Sequence, residues 1–290
     1  MLEELRDKIK EIMLGEVKEI VFRTRNGNMT VVEEKKDGDS ATNADIEIGQ
    51  LFVRKLSEIL PGSIVINEED FNVEVYKKIQ GTRFVWVVDP IDGTKAFRTA
   101  GNNEYCIAVA LLDRLKPVLS IVYAPEYEIK GEKGLLFEAI DTEDGAKING
   151  RTIEVDTDIQ AKNIKCVNHI HRDTVLNTAE QTIRSICASS ETIRAYEGHS
   201  TLVNYALVSA DRLQRVFSRR GAYIWDMIQS AYIVEKTGGE VFYANGRSIF
   251  PIKFEDLTFK DNKLIMDFNI ACSKSVKKEI MELMREEEYR

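Results

Sequence analysis

The chain has 290 residues, 43% of them hydrophobic and 30% charged, a balance that fits one large or two ordinary folded domains and excludes a disordered chain. Its 48 acidic against 40 basic side chains give a formal charge of -8, which argues against a nucleic-acid duplex as the main partner, because duplex binding needs a basic face. A small phosphorylated ligand stays open, since divalent cations can sit between carboxylates and a phosphate.

The N-terminal sequence MLEELRDKIKEI lacks the apolar core of a secretory signal. No apolar run approaches the ~20 residues of a membrane span, so a cytoplasmic location is expected. Leu2, Leu5, Ile9, Ile12, Met13, Val17, Ile20 and Val21 recur at helical spacing, which predicts an amphipathic helix over 2–23 with an interruption at Gly15. A turn at Asn26-Gly27-Asn28 leads to a strand, MTVVEE, and a polar loop over 35–40. Thr42 or Asn43 then caps a second helix that stops before Pro61-Gly62.

From Ser63 the period changes. SIVIN is a short strand ending at Glu68-Glu69-Asp70, and RFVWVVD is a nearly continuous apolar strand ending at Asp89. Asp92-Gly93-Thr94 opens a helix, and YCIAVALLD and KPVLSIVYAP read as strands paired through Asp113-Arg114-Leu115-Lys116. LLFEA and AKINGRTIEV, with its Asn149-Gly150 turn, extend the β region. After Asp156 the rhythm restarts as strand NIKCVNH, helix near 173–187, strand TIRAY, helix 200–210, strand RLQRVFS, helix 225–237 and strand GGEVFY. The C-terminal KKEIMELMREEEYR is an amphipathic helix. A division into domains 1–155 and 156–290 is expected, and strands mixed with helices without strict βα alternation indicate a layered α+β architecture. Cys106, Cys166, Cys187 and Cys272 form no CxxC pair, so reduced and mostly buried thiols are expected.

Glu68, Glu69, Asp89, Asp92 and Asp226 carry the chemistry. Carboxylates at the ends of apolar elements need cations, bases or solvent, since one buried alone costs several kcal/mol. A set of Asp and Glu without His or Cys suits Mg²⁺, which prefers oxygen ligands and shares substrate phosphates. In DPIDGT, Pro90 stiffens the turn, Gly93 lets the backbone approach a ligand, and Thr94 begins a helix whose amides suit phosphate. The Thr94 hydroxyl can orient a water if Asp45 accepts its proton. Taken alone, DPIDG also describes a capped loop before a helix. His169, His171 and His199 are too dispersed for a metal site, and Trp86 and Trp225 read as packing anchors.

INEED at 66–70, WVVDPIDGTKAF at 86–97 and IWDMIQSAYIVEKTGGEV at 224–241 resemble the three ordered signatures of the inositol monophosphatase superfamily. Lys35, Asp37-Gly38, Thr42 and Ala44-Asp45 resemble its upstream element. The resemblance implies an αβαβα sandwich of the sugar-phosphatase type and a magnesium-dependent, lithium-sensitive phosphomonoesterase. Within the superfamily, Glu68-Glu69-Asp70, DGTK at 92–95, NNEYCIAVALLD at 102–113 and KPVLSIVYAP at 116–125 are most similar to 3'(2'),5'-bisphosphate nucleotidases, whose substrate is adenosine 3',5'-bisphosphate. Ala96 keeps a histidinol-phosphatase open. Inositol monophosphatase and fructose-1,6-bisphosphatase are the other enzyme alternatives, and a regulatory protein- or RNA-binding role is the alternative of another class.

By that resemblance Glu68, Asp89, the Ile91 carbonyl, Asp92 and Asp226 hold two Mg²⁺, with Glu69 touching a third through water. Asp45, Thr94 and Glu68 are the catalytic candidates, Thr94 orienting the attacking water with Asp45 behind it. Gly93, Thr94, Lys95, His199, Arg219 and Arg220 are candidates for substrate binding, the two arginines and Arg215 for a second phosphate. The expected partner is a small phosphorylated metabolite, and a homodimer is left open. The chain departs from the nucleotidase pattern at Ser40, Asn67, Ala96 and Ile228-Gln229-Ser230, which bears on substrate choice and on the packing of the last of these helices.

Overall fold

The computed structural model describes residues 1–34, 40–156, 159–170, 176–194 and 198–288. Lys35, Asp37-Gly38 and the pair His171-Arg172 lie outside the described residues. The first helical stretch is α1 (Leu2–Ile12), a π turn over Met13–Val17, and α2 (Lys18–Arg23). The expected interruption at Gly15 is thus a widened turn rather than a break, and a second π turn covers Thr24–Asn28. Strands β1 (Val31–Glu34) and β2 (Ser40–Thr42) pair antiparallel. Helix α3 (Asn43–Ile59) starts from a capping box in which Thr42 and Asp45 satisfy each other's end of the first turn.

β3 (Ile64–Asn67) leads through a 3₁₀ turn at Glu68–Asp70 to α4 (Val73–Ile79). The sequence did not signal α4, whose seven residues bury only Ile79. β4 (Phe84–Asp92), α5 (Thr94–Arg98), β5 (Cys106–Asp113), β6 (Lys116–Ile129), β7 (Glu132–Ile140), β8 (Lys147–Ile148) and β9 (Arg151–Thr152) follow. Strands β3 to β9 form a seven-stranded sheet in chain order. The β5–β6 turn falls where the sequence placed it, with Arg114 and Leu115 both at positive φ.

β10 (Lys165–Ile170), α6 (Thr178–Ile186), β11 (Ser189–Arg194), α7 (Thr201–Ala210), β12 (Arg215–Arg219), β13 (Ala222–Tyr223), a 3₁₀ turn at Ile224–Asp226, α8 (Ile228–Lys236) and β14 (Gly239–Tyr243) come next. The chain closes with β15 (Thr258–Lys260), β16 (Lys263–Met266), β17 (Asn269–Ser273) and α9 (Lys274–Glu288). A five-stranded sheet has the order β11-β10-β12-β17-β14, and a small sheet the order β13-β16-β15.

The layers explain the apolar runs. Val85 and Val87 of β4 face one core and Trp86 and Val88 the other, so the strand is buried on both faces. α1, α2 and α3 cover the outer face of the large sheet. α7 and α8 lie between the two large sheets and are buried nearly all round, as helices inside a sandwich must be. α6 and α9 pack on the far side of the five-stranded sheet. The sequence of layers is αβαβα, a layered α+β fold. Trp86 and Trp225 are fully buried packing anchors. The four cysteines are free, three of them buried. No helix among the described residues is long and apolar enough to cross a membrane.

Candidate active site

Asp89 and Asp92 stand three positions apart, which on a regular strand puts them on opposite faces. The pairing of β4 with β5 skips a residue between them: Asp89 faces Ala108 and Asp92 faces Cys106. This bulge at Pro90-Ile91 turns both carboxylates toward one side, and it is where an inner strand tolerates a proline. Glu68 arrives from the 3₁₀ turn after β3, the neighbour of β4, and Asp226 from the 3₁₀ turn before α8.

Ligand oxygens of Glu68, Asp89 and Asp226 all lie within 4.8 Å of one another. Asp89 is fully buried, and neither of its oxygens has a hydrogen-bond partner. Burial, then repulsion from Glu68, Asp92 and Asp226, holds its carboxyl well above the ordinary range. Burial also pushes Asp92 up to about 7, against the pull of donors at Ser200 and Leu202. The Leu202 amide donates to Asp92 Oδ2 at 2.6 Å, and the Ser200 hydroxyl donates to the same oxygen. Asp92 and the half-buried Glu69 are both outside the group of three. The set is all oxygen, and an orphaned buried carboxylate is what a hard divalent cation would satisfy.

Asp45 has two duties. Its Oδ2 accepts from the Thr42 amide at 2.7 Å and the Thr42 hydroxyl at 2.5 Å, while Oδ1 lies 3.3 Å from Thr94 Oγ1. Thr94 Oγ1 is also 3.0 Å from the Ile91 carbonyl. Its single proton therefore has two acceptors.

Gly93 has φ +85, and a Cβ there would meet the Glu104 carbonyl at 2.8 Å and Ser200 Cβ at 3.2 Å. Glycine is required here by contact with the protein itself, whereas the sequence suggested approach to a ligand. Lys95 is exposed, and its Cγ lies 3.4 Å from where a Gly198 Cβ would stand. His199 Nδ1 lies 2.7 Å from Glu104 Oε2. Arg219 is buried, with one terminal nitrogen 3.9 Å from Asp226. Arg220 donates from Nε to Glu180 at 2.8 Å and from a terminal nitrogen to the same carboxylate, which is fully buried. Arg215 is paired with Asp211 at 2.7 Å. The structure thus brings Arg219 to the site, while Arg220 and Arg215 are engaged in ion pairs.

The departures have local accounts. Asn67 fills the space a Cβ on Gly49 would need, 2.7 Å from its Nδ2, so the two residues are matched. Ser40 accepts from Arg98 at 2.7 Å, tying β2 to α5. Gln229 donates to the Val87 carbonyl at 3.1 Å, and Ser230 to the Leu202 carbonyl at 2.8 Å, so α8 packs through hydrogen bonds. Ala96 is fully buried, so it is a packing position with no surface for substrate. Two participants are not signalled by the sequence: Ser200, and Glu104 within NNEYC. Only the topology, which sets α7 against the β4 bulge, brings them in.

The model of the inositol monophosphatase family matches residues 1–289. A 3'(2'),5'-bisphosphate nucleotidase CysQ of Aggregatibacter actinomycetemcomitans is 26% identical over 249 residues, covering 83% of this chain and 82% of that one. The CysQ of Haemophilus influenzae is 31% identical over 94 residues, 32% of this chain, and the match spans only 34% of that protein's length. Among solved structures, an IMPase/NADP phosphatase complexed with Mg²⁺ and phosphate superposes with a TM-score of 0.70 at 21% identity, over 95% of this chain and 94% of that one.

Proposed function

The chain belongs to the inositol monophosphatase family, and from that premise we propose that it is a magnesium-dependent phosphomonoesterase acting on adenosine 3',5'-bisphosphate, releasing the 3'-phosphate. The observation that carries the reading is the group Glu68, Asp89 and Asp226, within 4.8 Å and built around a carboxylate with no donor of its own. The similarity to one CysQ nucleotidase over most of the chain, at 26% identity, supports the nucleotide, and the Mg²⁺ and phosphate bound by the structural relative support the metal.

Glu68, Asp89, the Ile91 carbonyl, Asp92 and Asp226 would hold two Mg²⁺, with Glu69 reaching a third. Metal held by these residues would neutralise phosphate charge and make water a better nucleophile. Thr94 holds the attacking water by its hydroxyl oxygen while giving its own proton toward Asp45 Oδ1. Asp45 is suited to this because its other oxygen is already fixed by Thr42. The amides of Gly93 and Thr94 hold phosphate oxygens. Lys95, His199 and Arg219 are the contacts beyond the hydrolysed group, which is where discrimination among family substrates must arise. Li⁺ should inhibit, being similar in size to Mg²⁺ with half its charge.

The test is phosphate release from adenosine 3',5'-bisphosphate, inositol 1-phosphate, fructose 1,6-bisphosphate and histidinol phosphate, each with Mg²⁺ and with chelator. The bisphosphate nucleotide should have the highest kcat/KM. No release from any substrate under Mg²⁺ would favour a regulatory role, and preference for another substrate would move the chain to that branch.

A further inference from the structure

Resting on the metal-site reading above, we infer that Glu104 is a positioning residue whose carboxylate locks the entrance of α7 against Asp92. It thereby fixes the orientation in which Asp92 is offered to a metal ion. Glu104 lies in the segment between α5 and β5 and touches none of the carboxylates itself. Its Oε2 lies 2.7 Å from His199 Nδ1, and its Oε1 accepts from Asn204 Nδ2 at 2.9 Å. An ionised carboxylate only accepts, so His199 carries a proton on Nδ1 and its ring is held in one sense.

The two arms grip both sides of Ser200. Asn204 also donates to the Ser200 carbonyl at 2.8 Å. Ser200 Oγ accepts from the Val203 amide at 2.9 Å and gives its proton to Asp92 Oδ2, the oxygen that Leu202 N reaches at 2.6 Å. Behind this, Asn102 accepts from the Glu104 amide at 3.0 Å and donates to the Gly198 carbonyl at 3.2 Å. Arg25, held by Glu126 at 3.2 Å, donates to the Asn102 carbonyl at 3.1 Å. The close seat of Gly93 on the Glu104 carbonyl and on Ser200 leaves little slack. Loss of the Glu104 side chain removes the acceptor shared by His199 and Asn204, and the hydroxyl and amide that orient Asp92 move with it. Partners of this kind around a metal ligand are typically worth 10–100-fold in metal affinity.

Position can be separated from charge. In Glu104→Gln the amide oxygen can still accept from Asn204, and the amide nitrogen can donate to His199 Nδ1 once the ring carries its proton on Nε2. The experiment is calorimetric titration of the full chain with Mg²⁺, together with long-range ¹H–¹⁵N spectra of the imidazoles, of which the chain has only 3. Glu104→Ala should weaken Mg²⁺ binding by about tenfold. Glu104→Gln should stay close to the unmodified chain, with the His199 proton moved from Nδ1 to Nε2. Should Glu104→Ala fail to fold, Asn204→Ala removes one arm alone and should weaken Mg²⁺ in the same direction. Unchanged affinity in Glu104→Ala or Asn204→Ala, or a folded Glu104→Gln as weak as Glu104→Ala, overturns the inference and leaves the proposed function standing. An unmodified chain that binds no Mg²⁺ overturns both.

Discussion

The Arg219 guanidinium lies 3.9 Å from the Asp226 carboxylate, buried at the end of β12 with its Nε and one terminal nitrogen unpartnered. A buried cation beside a carboxylate group offsets the group's charge, and its two spare nitrogens, buried in this structure, are the donors that a second anionic group of a substrate would meet on entry. Its neighbour Arg220 is spent on the fully buried Glu180. Arg219→Ala should therefore raise KM for adenosine 3',5'-bisphosphate by about tenfold, roughly 1.4 kcal/mol, and spare inositol 1-phosphate. Arg220→Ala should lower Tm, because breaking a buried pair costs about 3–5 kcal/mol. Steady-state kinetics on both substrates and a thermal melt separate the two. A uniform loss for Arg219→Ala would mean that it supports the fold or the metals rather than the second phosphate.

Thr94 Oγ1 stands 3.3 Å from Asp45 Oδ1. If it holds the attacking water, Thr94→Val, which keeps the shape and removes the hydroxyl, should lower kcat by roughly 10²–10⁴-fold, the range of a lost proton-transfer group. Thr94→Ser should keep most of the rate. A Thr94→Val variant that keeps most of the rate, with Mg²⁺ affinity unchanged, would show that the hydroxyl does not hold the water.

Much of this site was legible in the sequence because its carboxylates end apolar strands, where charge is costly and so carries information. Glu68, Asp89 and Asp226 were named from that logic and from the resemblance, and the fold brings them within 4.8 Å. The strands over 64–140 were equally plain, since continuous apolar runs such as VWVV need cover on both faces. What stayed hidden depends on long-range register. The bulge at Pro90-Ile91 shows only in how β4 pairs with β5. β17 runs between β12 and β14, a place set by pairing with distant strands rather than by anything local to Asn269–Ser273. Glu104 looked like an ordinary polar residue before β5, because its partners His199 and Asn204 are 95 and 100 positions away.

Stability should depend on pH through Glu235 of α8. Burial pushes its carboxyl from 4.5 up to about 7, with Ser248 Oγ at 3.2 Å opposing and Glu240 adding repulsion. The folded chain holds this proton more tightly than the unfolded chain does. The group's contribution is thus complete below about pH 4.5 and is lost as pH rises toward 7, by at most about 1.4 kcal/mol per unit. Glu235→Gln should gain stability relative to the unmodified chain between pH 5 and pH 8 in urea unfolding. An offset that is the same at both values would contradict the assignment.

The carboxylate group itself is tested most directly at Asp89, whose oxygens have no partner and whose charge its neighbours oppose. The measurement is phosphate release from adenosine 3',5'-bisphosphate by Asp89→Asn at saturating Mg²⁺, paired with melts of the chelated and Mg²⁺-loaded protein. The variant should melt higher than the unmodified chain under chelation, because one repelling charge is gone. It should gain little from Mg²⁺ and keep less than about a tenth of the turnover, a loss of more than roughly 1.4 kcal/mol. A variant that is stabilised by Mg²⁺ as the unmodified chain is, and that keeps more than that tenth, would show that Asp89 does not hold the metal.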